Sequence, residues 1–110
     1  MSRTTTAAAL GVALLALAGC GDKRLDRLSA GISKDSAIAL MGQNPDRVDP
    51  FLTQGKYIEA MYFGRPGAAP GSTPEDKLQP VVVVDGTIQV WGWDDWEEFA
   101  AQYQIPAARK

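Results

Sequence analysis

Residues 81–93 read Val81-Val82-Val83-Val84-Asp85-Gly86-Thr87-Ile88-Gln89-Val90-Trp91-Gly92-Trp93. Asp-Gly is a pair that a type I′ turn prefers, because both central residues of that turn take a positive φ. The four valines before it suit a strand buried on both faces, and Thr87–Trp93 after it alternates. That alternation predicts Ile88 and Val90 on one face, with Gln89, Trp91 and Trp93 on the other. A β-hairpin is therefore the element around which the rest of the fold is arranged.

Working outward, Tyr57–Phe63 is rich in aromatic and β-forming residues and reads as a further strand. Between it and the valines, the stretch 65–77 holds Pro66, Gly67, Pro70, Gly71 and Pro74, the composition of a long exposed loop that leans towards disorder. Downstream, Asp94 with Glu97, or Asp95 with Glu98, forms a capping pair. Trp96, Phe99, Ala100 and Tyr103 then fall at i, i+3, i+4 and i+7, one face of a helix ended by Pro106.

Upstream, Leu25, Leu28 and Ile32 recur at helical spacing, with Gly31 available as a stop, and predict a short helix from about Lys23 to Ala30. Ser33 offers an N-cap to a second helix whose apolar face is Ala37, Leu40 and Met41, with Gly42 placed for a left-handed C-cap. The order α-α-β-β-β-α predicts an α+β domain. Its expected form is an N-terminal helical hairpin packed on a three-stranded antiparallel sheet, with a C-terminal helix added and all helices covering one face.

The first nineteen residues read as an address. Arg3 precedes an apolar run, Ala7–Ala18, of about 12 residues, against the roughly 20 needed to span a bilayer. This is the h-region of a secretory signal. It closes on Leu17-Ala18-Gly19-Cys20, which looks like the lipobox of bacterial lipoproteins. That resemblance implies cleavage before Cys20 and a covalent lipid on its thiol and amino terminus. The expected organisation is a signal peptide over 1–19, the lipidated Cys20 and a short tether over 20–24, and a single domain over 25–110. Two or more acyl chains anchor stably where one does not. Gly21 follows the cysteine, with Asp22 one place later; by the family's sorting habit this points to the outer membrane, with the inner membrane as the alternative.

Composition excludes much else. Lys and Arg number 11 against 13 Asp and Glu, so no basic field attracts nucleic acid. There is no histidine, the commonest general base and metal ligand, and Cys20 is the one cysteine. The carboxylates are scattered: Asp85 is accounted for by its turn, and Asp94 and Asp95 by a helix start. No spacing resembles a calcium loop, and no Ser-His, Cys-His or phosphate-cradling glycine motif is present. The expectation is a protein that is not an enzyme, with no metal and no cofactor beyond the lipid on Cys20.

The run Ile32-Ser33-Lys34-Asp35-Ser36-Ala37-Ile38-Ala39-Leu40-Met41-Gly42-Gln43-Asn44-Pro45-Asp46-Arg47-Val48 resembles the signature of the SmpA/OmlA (BamE-like) small lipoprotein family, as does the later Val84-Asp85-Gly86-Thr87-Ile88. In that family a helical hairpin precedes a three-stranded sheet. Here the helix after Trp93 is an addition, and Gly31-Ile32 stands where members carry Gly-Met or Gly-Leu. The resemblance implies a protein-interaction scaffold like the accessory subunit of outer-membrane β-barrel assembly, and so an envelope protein as partner. The two-helix and sheet unit also resembles the β-lactamase inhibitor proteins, which implies the alternative of a periplasmic inhibitor or ligand-binding module using the sheet face.

Candidate partner-binding residues are Trp91, Trp93, Gln89 and Glu59. The tryptophans form an aromatic platform of the kind enriched at interface hot spots, or else pack the last helix on the sheet. Glu59 shares a strand face with Tyr57, Met61 and Phe63, and either lines a groove or sits at an open edge. Lys23, Arg24 and Arg27 beside the anchor either rest on anionic headgroups or form a solvated face paired with Asp22 and Asp26.

Overall fold

Asp85 and Gly86 have φ of 50° and 94°, both positive as the Asp-Gly turn requires. In the computed structural model, which describes residues 22–107, this turn joins strand β3 (Gln79–Val84) to β4 (Thr87–Trp91). The stretch expected to be a signal segment, residues 1–19, and Cys20 lie outside the described residues. A second turn of the same kind, Gln54-Gly55 with φ of 51° and 75°, joins β1 (Arg47–Thr53) to β2 (Lys56–Phe63). The sheet is thus four-stranded, in the order β1-β2-β3-β4, every neighbour antiparallel. This corrects the expected three strands. Pro50 stands in the middle of β1 and weakens its strand signal, yet β1 is an edge strand, the one place a sheet tolerates a residue without an N–H.

Val81–Val84 are all buried, as are Ile58 and Ala60–Phe63 on β2. A pair of central strands apolar on both faces needs a cover on both faces. The helices accordingly lie on opposite sides of the sheet, not on one. Helix α1 (Lys34–Met41) packs with Met61, Phe63, Val81, Val83 and Ile88. Helix α2 (Trp93–Gln102) packs with Ile58, Ala60, Tyr62, Val82 and Val84.

The caps of α1 are as the sequence predicts. The Ser33 hydroxyl accepts from the Ser36 N–H at 3.1 Å, and Gly42 closes the helix with φ 78°, its N–H donating to the Ile38 and Ala39 carbonyls. The first helix does not form as an α-helix. Lys23–Arg27 is a short 3₁₀ helix, Leu28 is extended, and Ala30–Gly31 form a turn closed by the Ile32 N–H on the Ser29 carbonyl at 3.3 Å. Gly31 N–H donates to the Ile88 carbonyl and Ile88 N–H to the Ile32 carbonyl, each at 2.8 Å, so this segment is drawn along the open edge of β4. Those ladder bonds win over a short helix with little propensity of its own. The helical hairpin is therefore a short 3₁₀ helix plus α1.

α2 starts two residues earlier than the Asp94–Glu97 capping pair suggests, and three earlier than Asp95–Glu98. Gly92 is its N-cap, without a side-chain bond, and Asp94 and Asp95 sit in its first turn, where the helix dipole favours negative charge. It stops before Pro106: Gln104 turns left-handed at φ 57°, and Ile105 N–H closes on the Ala100 carbonyl at 2.8 Å.

The Pro/Gly-rich stretch is a strap pinned at several points. Thr73 is buried and its hydroxyl accepts from the Arg65 N–H at 2.9 Å, Asp46 accepts from the Gly71 N–H at 3.2 Å, and Gln43 from the Gly67 N–H at 2.9 Å. Gly64 is required where the strap leaves β2, because a Cβ there would meet the Thr73 hydroxyl at 2.8 Å and the Asp46 carboxylate at 3.1 Å.

Candidate functional site

Beside Gln89 the β3–β4 register slips. Val82 faces Val90 while Val83 faces Ile88, which leaves Gln89 as the extra residue of a β-bulge. The bulge reverses the alternation expected from the sequence. Ile88 points to the α1 side, Val90 to the α2 side, and Trp91 back to the α1 side. Strand β4 ends at Trp91, and Gly92, with φ 88°, turns the chain into α2 at Trp93, so Trp91 and Trp93 share no face and the aromatic platform does not assemble.

Trp93, the first residue of α2, is buried against the sheet, its indole N–H donating to the Leu78 carbonyl at 2.7 Å and its ring 5.7 Å from that of Tyr62. Trp96 is fully buried and donates to the Tyr62 hydroxyl at 3.0 Å, the packing role foreseen as its alternative. Burial raises the pKa of the Tyr62 phenol, with the Trp96 hydrogen bond opposing that in part. Over the Tyr62 ring, at 4.3 Å, sits the Arg47 guanidinium, which is ion-paired with Asp49 and Glu75. The hydrogen bond to Glu75, above all, raises the Arg47 pKa. Of the predicted residues on β4, Gln89 is exposed and Trp91 half-buried.

Glu59 lies on a central strand, between Pro50 of β1 and Val83 of β3, and points to the α1 side. Its carboxylate takes the Lys34 ammonium at 2.9 Å, and its side chain is 13% exposed. It is thus neither at an edge nor alone. α1 has eight residues, about 12 Å of cover at 1.5 Å per residue. It starts beside Gly86, to whose carbonyl the Lys34 N–H donates at 3.0 Å, and leaves the hairpin end of β1–β2 open on this face, while Met61 and Phe63 farther along β2 are buried. Leu52 and Tyr57, cross-strand partners next to the Pro50–Glu59 pair, are 80% and 45% exposed there. They are the exposed large hydrophobics among the described residues. Sequence reading missed Leu52 because it missed β1. The available signal was the Gln54-Gly55 turn, which sets Leu52 opposite Tyr57.

The opposite end of the sheet is polar. Arg24, expected as a headgroup contact or a solvated cation, is turned inward. Its guanidinium binds the Asp22 carboxylate and donates to the Met41 carbonyl at 3.0 Å and the Gly64 carbonyl at 2.7 Å. The side chains of Arg24 and Asp22 are 11% and 7% exposed. This cation at the last turn of α1 satisfies a helix-end carbonyl and complements the helix dipole. Around it opens a cleft of about 520 Å³ lined by Lys23, Arg65, Pro66, Lys77 and Gln79. Among the described residues no helix is long and apolar enough to cross a membrane.

Comparison with family models, curated proteins and solved structures gives no match.

Proposed function

We propose that this protein is a non-enzymatic lipoprotein of the bacterial envelope, anchored through Cys20, whose α1-side sheet face docks a protein partner. The observation that carries the docking surface is the pairing of Leu52 with Tyr57, two large apolar side chains left in solvent side by side. Scattered single hydrophobics are ordinary on a surface, but an adjacent pair rimmed by a fixed charge pair resembles the centre and rim of an interface. Glu59 and Lys34 supply that rim, already ordered by their ion pair. Anchoring is supported by the lipobox-like Leu17–Cys20 at the end of an apolar run. The specific form of the reading, drawn from the SmpA/OmlA-like motifs, is an accessory contact to the outer-membrane β-barrel assembly machinery.

The test is crosslinking in intact cells, with a photoreactive residue at position 52 of the full chain and a second at exposed position 89. The expected result is a barrel-assembly subunit captured from 52, lost when Tyr57→Ser is added and lost in Cys20→Ser. Capture of a periplasmic enzyme from 52, whose activity the protein lowers, replaces the scaffold with the inhibitor alternative. Absence of any protein adduct from 52 overturns the docking surface.

A further inference from the structure

We propose that the end of the sheet carrying Lys23, Arg65 and Lys77 rests on an anionic lipid surface, holding the strands away from the membrane and the Leu52–Tyr57 face at the far end. The proposal rests on the lipid anchor at Cys20 and adds to it an orientation.

Three features combine. First, the cations of the cleft are available. No ion pair among the described residues engages Lys23, Arg65 or Lys77, while Asp22, the acid in the cleft wall, is consumed by Arg24. The cleft lining itself carries Lys23, Arg24, Arg65 and Lys77 against Asp22, while Asp26, Asp46, Glu75 and Asp76 are not part of it. Second, the tether is short and its far side is rigid. Only Gly21 stands between Cys20 and Asp22, about 7 Å of chain at full extension. From Asp22 onward the backbone is clamped through Arg24 to both the end of α1 and the end of β2. A longer linker would let the domain tumble; this one holds the cleft within a Debye length of the headgroups, where attraction between basic side chains and anionic lipid operates. Third, the two ends of β2 separate the two surfaces. Gly64 and Arg65 follow its last residue, whereas Tyr57 is near its first, about 20 Å away along the strand.

The test uses the full processed chain, purified in detergent with its acylation read by intact mass, and reconstituted into phosphatidylcholine vesicles with or without about a quarter phosphatidylserine. Hydrogen exchange is followed at residues 65–67, 77–79 and 52–58. The expected result is several-fold slower exchange at 65–67 and 77–79 on the anionic vesicles alone. The slowing is reversed by high salt and absent from the Lys23→Glu, Arg65→Glu, Lys77→Glu triple variant, with 52–58 unchanged throughout. The salt arm uses the unaltered protein and so stands even if the triple variant folds poorly. Equal exchange on neutral and anionic vesicles by an acylated chain overturns the orientation and leaves the anchor standing. Slowing at 52–58 instead inverts the orientation and overturns it too. A chain that carries no acyl group overturns the anchor, and the orientation with it.

Discussion

The two faces of the sheet are built from the same central strands and finished differently. On the α2 side, ten helical residues cross the sheet from Gly92, held by Pro80, to the Gln54 turn, whose side-chain amide donates to the Gln102 carbonyl. Aromatic rings fill what is left: Trp96 lies 6.2 Å from Phe51 and 6.3 Å from Phe99, which in turn lies 4.7 Å from Tyr103. On the α1 side, a shorter helix that buries Ala37 and Met41 packs on β3, β4 and the Met61–Phe63 end of β2, and the β1–β2 hairpin end is left in solvent. A face that is closed by large rings serves stability. One closed by an eight-residue helix leaves Leu52 and Tyr57 in solvent.

The comparison breaks most readily at Trp96. Trp96→Ala is expected to cost about 3–5 kcal/mol, the transfer and cavity terms of a buried aromatic, and to leave the Tyr62 hydroxyl without its donor. Urea denaturation measures it, and a loss under 1 kcal/mol would show the α2 face to be far looser than its packing. Next comes Arg24→Met, which keeps much of the side-chain volume but strands Asp22 and two carbonyls; about 3 kcal/mol is expected by the same method.

A third effect is read as pH dependence. The folded pKa of Tyr62 is raised, so the neutral phenol favours the fold. Its contribution is whole below the ordinary tyrosine value of about 10 and is lost as pH rises beyond it. Stability measured at rising alkaline pH should fall more steeply in the wild type than in Tyr62→Phe; parallel curves would remove Tyr62 from the account. The smallest effect belongs to the open face. Leu52→Ser should change stability by no more than about 0.5 kcal/mol, as at other exposed positions, while the crosslinks from that face are lost. A large destabilisation there would mean that Leu52 belongs to the core and that the two faces are alike.

Much of the architecture was legible where the signal is local. Asp85-Gly86 turned as its residue types demand, Ser33 and Gly42 capped α1, and the Trp96–Tyr103 spacing identified the buried face of α2. The candidate site was legible only in part. Glu59 was correctly placed on a face with Tyr57, Met61 and Phe63, but its partner Lys34 is 25 residues away in the chain. The expected pairing of Ile88 with Val90 on one face failed on a single inserted residue, because alternation carries a strand's facing only until a bulge resets it. The tryptophan platform failed because the strand ends at Trp91 and Trp93 already belongs to α2.

By itself the sequence determined the turns, the caps, the helical periods and the buried valine strand, since each depends on φ preferences or side-chain spacing within a few residues. The tertiary structure alone decided three other things. Pro50 stands on an edge and permits a fourth strand, residues 31–34 bond along β4 so that the helix expected just before them does not form, and the two helices divide between the faces. All three concern backbone donors and apolar surface that find partners far along the chain, and the competition for those partners is settled only when the whole sheet is in place.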